Sequence, residues 1–232
     1  MRAAATRFAA EQQRLDVLLL NAGVSATAPA QSREGYELQF GTNHMGHALL
    51  TQLLMPTLLR TAALPGADVR VVVLSSVGHR TFPPKGGIDF DSLKTTGGAY
   101  GPLALYGQSK LANILFVKGM ARRYPQIKSV AVHPGTVASD IWGKAEGVNA
   151  ILRLVVKPIV WLVASTSADG AKTQLWASTA GGVQSGAYYE PVGKPNAESK
   201  IAKDPAMIEK MWDWTEKELQ SHDADGWPAS KL

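Results

Sequence analysis

Three short runs along the chain are almost purely aliphatic: Leu15–Leu20 (LDVLLL), Val69–Leu74 (VRVVVL) and Ser129–Val132 (SVAV), the last preceded by Ile127. Runs of this length without polar alternation suit strands covered on both faces, as in a parallel sheet. Between them the apolar positions switch to helical spacing. From about Gly35 to Leu59, Met45, Leu49 and Leu53 recur at every fourth position. From about Leu105 to Tyr124, Leu111, Leu115 and Gly119 form one stripe, with Ala112, Phe116 and Met120 beside it. Strand, helix, strand, helix, strand predicts right-handed βαβ units in a three-layer α/β fold built on a parallel sheet.

The last third predicts a helix from about Ser167 to Ala180 closed by Gly181 and Gly182, then a short strand at Ala187–Tyr189. Asp204 and Pro205 supply an N-cap and a first-turn proline for a further helix. Its Met207, Ile208, Met211, Trp212 and Leu219 form a stripe suited to packing rather than to a ligand. The opening stretch, MRAAATRFAAEQQR, holds three arginines in the manner of a transit peptide. It reads instead as a plain helix through Phe8 and Ala9 that runs directly into the first strand. No repeat or low-complexity tract divides residues 1–232, so one domain is expected.

Composition narrows the function classes. With 232 residues, 45% hydrophobic and 19% charged, the chain has ample material for a core and is not a disordered one. Cysteine is absent, which excludes disulfides, thiol catalysis and cysteine-ligated zinc. The net charge of +5 is scattered, with Arg122 and Arg123 the one adjacent basic pair, so no nucleic-acid partner is expected. The most apolar stretch, Ala150–Ala164, is interrupted by Arg153, Lys157 and Pro158 and is shorter than the ~20 residues a membrane span requires. No transmembrane span is expected, and the compartment defaults to the cytoplasm.

Ligands of open parallel sheets bind beyond the carboxyl ends of the strands. There the sequence places Asn21-Ala22-Gly23, Ser75-Ser76-Val77-Gly78 and His133-Pro134-Gly135-Thr136, a polar floor of small and turn-forming residues. The next helix opens near Tyr106-Gly107-Gln108-Ser109-Lys110. Four residues apart, Tyr106 and Lys110 share a face, and a neighbouring ammonium lowers the pKa of a phenol toward the range useful in general acid–base catalysis. The alternative is a surface pair on an amphipathic helix. Tyr124 and Lys128 repeat the spacing, but Pro125 between them marks a helix exit with no shared face. Ser76 stands where it can hydrogen-bond a carbonyl or alcohol oxygen. Asn43, in TNHMGH, can hold a water that relays protons to Lys110, or can cap or distort its helix. His44 and His47 have a spacing that metals use, yet no third ligand stands near them, and no metal site is expected. Asp89 and Asp91 fit a solvated turn.

The ordered set of NAG at residues 21–23, N-x-x-G at Asn43–Gly46, Ser76 after an aliphatic strand, Y-x-x-x-K and then P-G resembles the short-chain dehydrogenase/reductase family. The wording LNAGV, TNHMGHALLT, VLSSVGH, YGQSKLANILF and HPGTV is similar to its retinol-dehydrogenase-like branch, fungal members included; the likeness runs from about Arg14 to Gly186. The resemblance implies hydride transfer between NAD or NADP, with NADP favoured, and a carbonyl carbon. Tyr106 is then the general acid in reduction and the base in oxidation. Lys110 lowers its pKa and holds the nicotinamide ribose, Ser76 positions the substrate oxygen, and Asn43 completes a proton relay. Asn21, Ala22 and Gly23 support the edge beside the cofactor, and Pro134, Gly135, Val137 and Ser139 lie along the nicotinamide. The apolar segment Ile151–Val163 falls where the family has its substrate lid, which points to a small lipophilic substrate. The family also implies a homodimer through the helices bearing Asn43 and Tyr106.

One departure is large. The family's fold begins with a strand and a glycine-rich turn of the T-G-x-x-x-G-x-G kind, which brings backbone amides and a helix N-terminus to the pyrophosphate. Nothing before Leu15 matches it; Gly97, Gly98 and Gly101 fall in the loop before Tyr106, and Gly181, Gly182 and Gly186 follow a helix and precede a strand, the reverse of the required order. The expectation is therefore a Rossmann-like parallel sheet missing its first βαβαβ half, binding the cofactor poorly by itself. A catalytically inactive relative serving as an interaction or regulatory partner is the alternative.

Overall fold

A computed structural model of the chain describes residues 1–135, 166–222 and 226–229. In chain order its elements are helix α1 (Arg2–Glu11), strand β1 (Val17–Leu20), a single turn α2 (Leu38–Phe40), helix α3 (Gly46–Ala62), strand β2 (Arg70–Leu74), a short helix α4 (Gly78–Thr81), helix α5 (Pro102–Arg123), strand β3 (Lys128–Val132), helix α6 (Ser167–Thr179), strand β4 (Tyr188–Tyr189) and helix α7 (Pro205–Ser221). The strands pair in the order β1-β2-β3-β4, all parallel. Leu20 pairs with Val73 and Leu74 with Val132, so the three aliphatic runs end almost level along one edge.

Every residue of β2 is buried, and strand alternation divides them between two cores. Val71 and Val73 pack with Leu58, Leu111 and Leu115, on the face covered by α3, α5 and α7. Val72 and Leu74 pack with Val130, Val132, Ala177 and Tyr189, on the face covered by α6. Burial on both sides explains the unbroken aliphatic run. Each such side chain contributes roughly 1.5–3 kcal/mol relative to exposure.

The long helix expected from Gly35 to Leu59 is broken. After α2, Gly41–Met45 form a π turn, and regular helix resumes at Gly46 and continues to Ala62. The extra residue of a π turn rotates everything after it by a fraction of a turn, which aims the Asn43 side chain at Val24. Glu37 caps the start with hydrogen bonds from the Gln39 and Phe40 amides, while burial holds its carboxyl above the usual carboxylate range. At the other end of the chain, Asp204 accepts from the Ala206 amide and α7 begins at Pro205, as the sequence predicts. The expected glycine cap of α6 is not formed. Thr166 caps its start, the helix ends at an extended Ala180, and Gly181 and Gly182 belong to the turn beyond it.

Helix α7 packs along α5. Trp212 stacks on Phe116 with centroids 5.7 Å apart, and Arg122 and Arg123 both pair with Glu209. Gly119 is required here, because a Cβ would stand 2.7 Å from the Trp212 ring. From Leu111 to Val117 every residue of α5 is already buried within one chain. Among the described residues no helix is long and apolar enough to cross a membrane.

Candidate active site

The carbonyl of Leu74, the last residue of β2, gathers α5 onto the sheet edge. It accepts from Lys110 Nζ at 3.1 Å and from Asn113 Nδ2 at 3.0 Å, while Ser75 Oγ donates to the Lys110 carbonyl at 2.7 Å. These bonds fix the register of α5 and bring Tyr106, one turn before Lys110, over the turn that follows β2. Lys110 Nζ lies 5.7 Å from the centre of the Tyr106 ring. The Ser76 hydroxyl stands near enough to the Tyr106 phenol to hold down its pKa. Ser76 Oγ also accepts the Gly78 amide at 3.1 Å. Since an amide N–H only donates, that bond occupies an oxygen lone pair and leaves the Ser76 proton free to donate.

Two glycines permit this approach. A Cβ on Gly107 would meet Pro83 N at 2.8 Å and the Gly78 carbonyl at 2.9 Å; one on Gly78 would stand 3.2 Å from the Tyr106 ring and 3.3 Å from Phe82. Phe82, 38% exposed, thus lies beside Tyr106 as an apolar wall.

Asn43 is buried and holds three elements together. Its Nδ2 donates to the Val24 carbonyl and to Ser109 Oγ, both at 2.9 Å, and its Oδ1 accepts the Val24 amide at 2.8 Å. Both amide protons are occupied, so the side chain donates to protein rather than to a relaying water. Gly23 lies against it: a Cβ there would be 3.0 Å from Asn43 Oδ1 and 3.4 Å from Lys110 Nζ.

Electrostatics correct one expectation. Burial pushes the Tyr106 phenol above its ordinary pKa, and the neighbouring Ser76 hydroxyl opposes that without reversing it. The ammonium does not dominate, because it sits beside the ring and donates to Leu74. Burial lowers Lys110 itself to about 8. His47, also buried and near the Lys110 charge, is lowered to about 4.

Asn21 and Ala22 are exposed at the end of β1, with Gly23 turning inward. Pro134 and Gly135 follow β3, Gly135 in the left-handed region at φ 88°. Val137, Ser139 and the segment Ile151–Val163 lie outside the described residues. The structure therefore brings Ser76, Tyr106, Lys110, Asn43 and Gly23 together at one edge of the sheet. Backbone without side chains at Gly23 and Gly135, and an ammonium with donors beyond Leu74, suit a flat ring carrying a hydroxylated sugar. Among the described residues no glycine-rich turn joins a strand to a helix N-terminus in the way a pyrophosphate requires.

Sequence reasoning missed Ser109, which links Asn43 to the Tyr106 carbonyl through its own 2.8 Å donation. Its place inside Y-G-Q-S-K was the available signal. His44 serves packing rather than metal: Nδ1 faces Asn113 Oδ1 at 3.3 Å and Nε2 faces Thr215 Oγ1 at 3.0 Å.

No family model matches the chain. It is 35% identical to the short-chain dehydrogenase/reductase drtF of Aspergillus calidoustus, over 95% of this chain and 73% of that protein. It is 34% identical to the short chain dehydrogenase/reductase dpchH of Colletotrichum higginsianum, over 91% and 56%, and 35% identical to human retinol dehydrogenase 14, over 89% and 59%. The chain thus spans 56% of the length of one of these relatives and 73% of another. A crystal structure of an uncharacterized protein from Mycobacterium paratuberculosis superposes with a TM-score of 0.68 at 28% identity, covering 95% of this chain and 72% of that one. NADPH-bound carbonyl reductase from chicken fatty liver shares the fold, with a TM-score of 0.58 at 22% identity over 85% and 72%. On these similarities the chain belongs to the short-chain dehydrogenase/reductase family.

Proposed function

We propose that the chain is a nicotinamide-dependent oxidoreductase that interconverts a lipophilic carbonyl compound and its alcohol. The observation that carries the reading is the convergence of the Ser76 hydroxyl, the Tyr106 phenol and the Lys110 ammonium at the carboxyl edge of a parallel sheet. Relatives named as dehydrogenases and reductases support it.

When bound, the reduced cofactor supplies the hydride. The residues of the chain handle the oxygen. Ser76 donates a hydrogen bond to the substrate carbonyl, polarising it, and Tyr106 delivers its phenolic proton to the same oxygen as the carbon is reduced. A phenol held above its ordinary pKa is protonated at neutral pH, which is the state that reduction requires. Lys110, with Leu74 taking one of its donors, holds a ribose hydroxyl and supplies positive charge as the phenolate forms. Asn21, Ala22, Gly23, Pro134 and Gly135 border the cofactor, which we assign as NADP in preference to NAD. Asn43 keeps the β1 edge and α5 together. Phe82, exposed beside Tyr106, supports an apolar substrate.

The test is NADPH-dependent reduction of a panel of lipophilic aldehydes and ketones by the purified protein and by Tyr106→Phe. The expected result is turnover that needs NADPH well above the micromolar range and that the variant loses by about 100-fold or more. Equal rates for the two proteins remove Tyr106 from its role.

A further inference from the structure

His79 lies three residues after Ser76, in α4, and is fully buried. Its Nε2 faces the backbone amide of Ser199 at 3.1 Å. That N–H only donates, so Nε2 is the acceptor and carries no proton, and the neutral ring holds its hydrogen on Nδ1. Nδ1 lies 2.6 Å from the Ser76 carbonyl oxygen and donates to it. The same oxygen accepts the His79 backbone amide at 3.0 Å. Ser76 is therefore gripped at both ends: two donors of His79 hold its carbonyl, and the Gly78 amide holds its hydroxyl oxygen.

We propose that His79, fixed as its Nδ1–H tautomer by the Ser199 amide, is a positioning residue that sets the Ser76 hydroxyl against Tyr106. The ring has little freedom. It meets the edge of Tyr188 with centroids 4.9 Å apart. The Tyr188 hydroxyl donates to Glu190 at 2.8 Å, and Arg80 grips the same carboxylate at 2.7 and 2.8 Å while also donating to the Ala197 carbonyl. This network ties the segment that carries Ser199 to α4 and so delivers the acceptor's partner to Nε2. Burial lowers the pKa of the imidazole and keeps it neutral, against the opposing pull of its bond to the Ser76 carbonyl and of Glu190 and Glu198, with Arg80 adding to the lowering. The assignment deepens the proposed Ser76–Tyr106 chemistry and rests on it.

Nitrogen-15 NMR of the unmodified protein tests the tautomer: an Nδ1–H ring at neutral pH is expected, and an Nε2–H or charged ring overturns the proposal. Two variants then separate the ring nitrogens. His79→Asn keeps a donor at the Nδ1 position, whereas His79→Gln reaches only the Nε2 position. Ultraviolet titration of Tyr106, read as the difference from Tyr106→Phe, is expected to be unchanged in His79→Asn and raised in His79→Gln, as in Ser76→Ala. In carbonyl reduction, His79→Gln is expected to lower kcat by about tenfold or more at constant KM, and His79→Asn to stay within about threefold. Variants that behave alike, both unchanged or both impaired, overturn the proposal. If neither variant folds, the tautomer of the unmodified protein decides. If the unmodified protein reduces no carbonyl, the oxidoreductase reading fails, while the tautomer and the Tyr106 titration still decide the role of His79.

Discussion

The Asn43 amide nitrogen donates to the Ser109 hydroxyl at 2.9 Å across 66 positions of sequence, joining the π turn to α5 between Tyr106 and Lys110. Ser109 passes the link on to the Tyr106 carbonyl. Asn43→Ala strips partners from Val24 N–H, Val24 C=O and Ser109 at once. The expected loss is about 2–4 kcal/mol, given roughly 1–3 kcal/mol for each buried polar group left unsatisfied and partial relaxation. Urea denaturation measures it, and wild-type stability in the variant rejects the bracing role.

Gly107→Ala sets two effects of opposite sign against each other. Helix propensity alone favours alanine by about 1 kcal/mol. The Cβ, however, would meet backbone atoms of Pro83 and Gly78 at 2.8 and 2.9 Å, which cannot move aside as side chains do. The expected net result is a destabilisation of about 1–3 kcal/mol, because overpacking wins. A raised melting temperature contradicts that ordering.

Lys110 is charged in the unfolded chain up to about its ordinary value of 10.5 but in the fold only up to about 8. Between these values the unfolded state binds more protons, so stability rises with pH across that window. Below pH 8 the buried ammonium opposes folding in full, by roughly 3 kcal/mol. Lys110→Met is expected to be more stable than the parent at neutral pH and to show no rise in stability above pH 8. Unfolding curves from pH 7 to 10.5 check both points, and a destabilised Met variant rejects the argument.

His44 behaves in the same sense at acid pH. Burial lowers it from 6.5 to about 3, and His47 is lowered to about 4. As pH falls below 6.5 the unfolded chain takes up protons that the native one refuses, so stability declines steadily toward pH 3. His44→Phe is expected to flatten this decline between pH 6 and 4 without abolishing it, since His47 still titrates. A slope unchanged from the parent contradicts the assignment.

The three strands, the Tyr106 helix and the α7 cap were legible because each rests on a local signal: an unbroken aliphatic run, a four-residue spacing, an Asp-Pro start. The π turn was not, since the residue that breaks the helical repeat at Gly41–Met45 leaves Met45, Leu49 and Leu53 still spaced like a regular helix. The position of the Tyr106 pKa was not legible either. Spacing places a cation beside the phenol, but burial, which only the folded chain reveals, has the opposite sign and prevails. The Leu74 carbonyl that anchors Lys110 and Asn113 is a backbone atom, and no side-chain pattern announces it. Of the residues that converge at the sheet edge, Gly23 and Ser76 follow strands and were found by reading strand ends, whereas Tyr106 and Lys110 came from their four-residue spacing and Asn43 from the TNHMGH motif.

Beneath α7, Trp212 and Trp227 lie 4.8 Å apart at 38°, with Phe116 stacked on the first. Indoles so close share an electronic excitation, and their tilt gives the shared transition a handedness. The folded chain should therefore display a bisignate couplet in circular dichroism that collapses once Trp212 and Trp227 part. The molecule thus carries its own optical gauge of that packing, readable without any label.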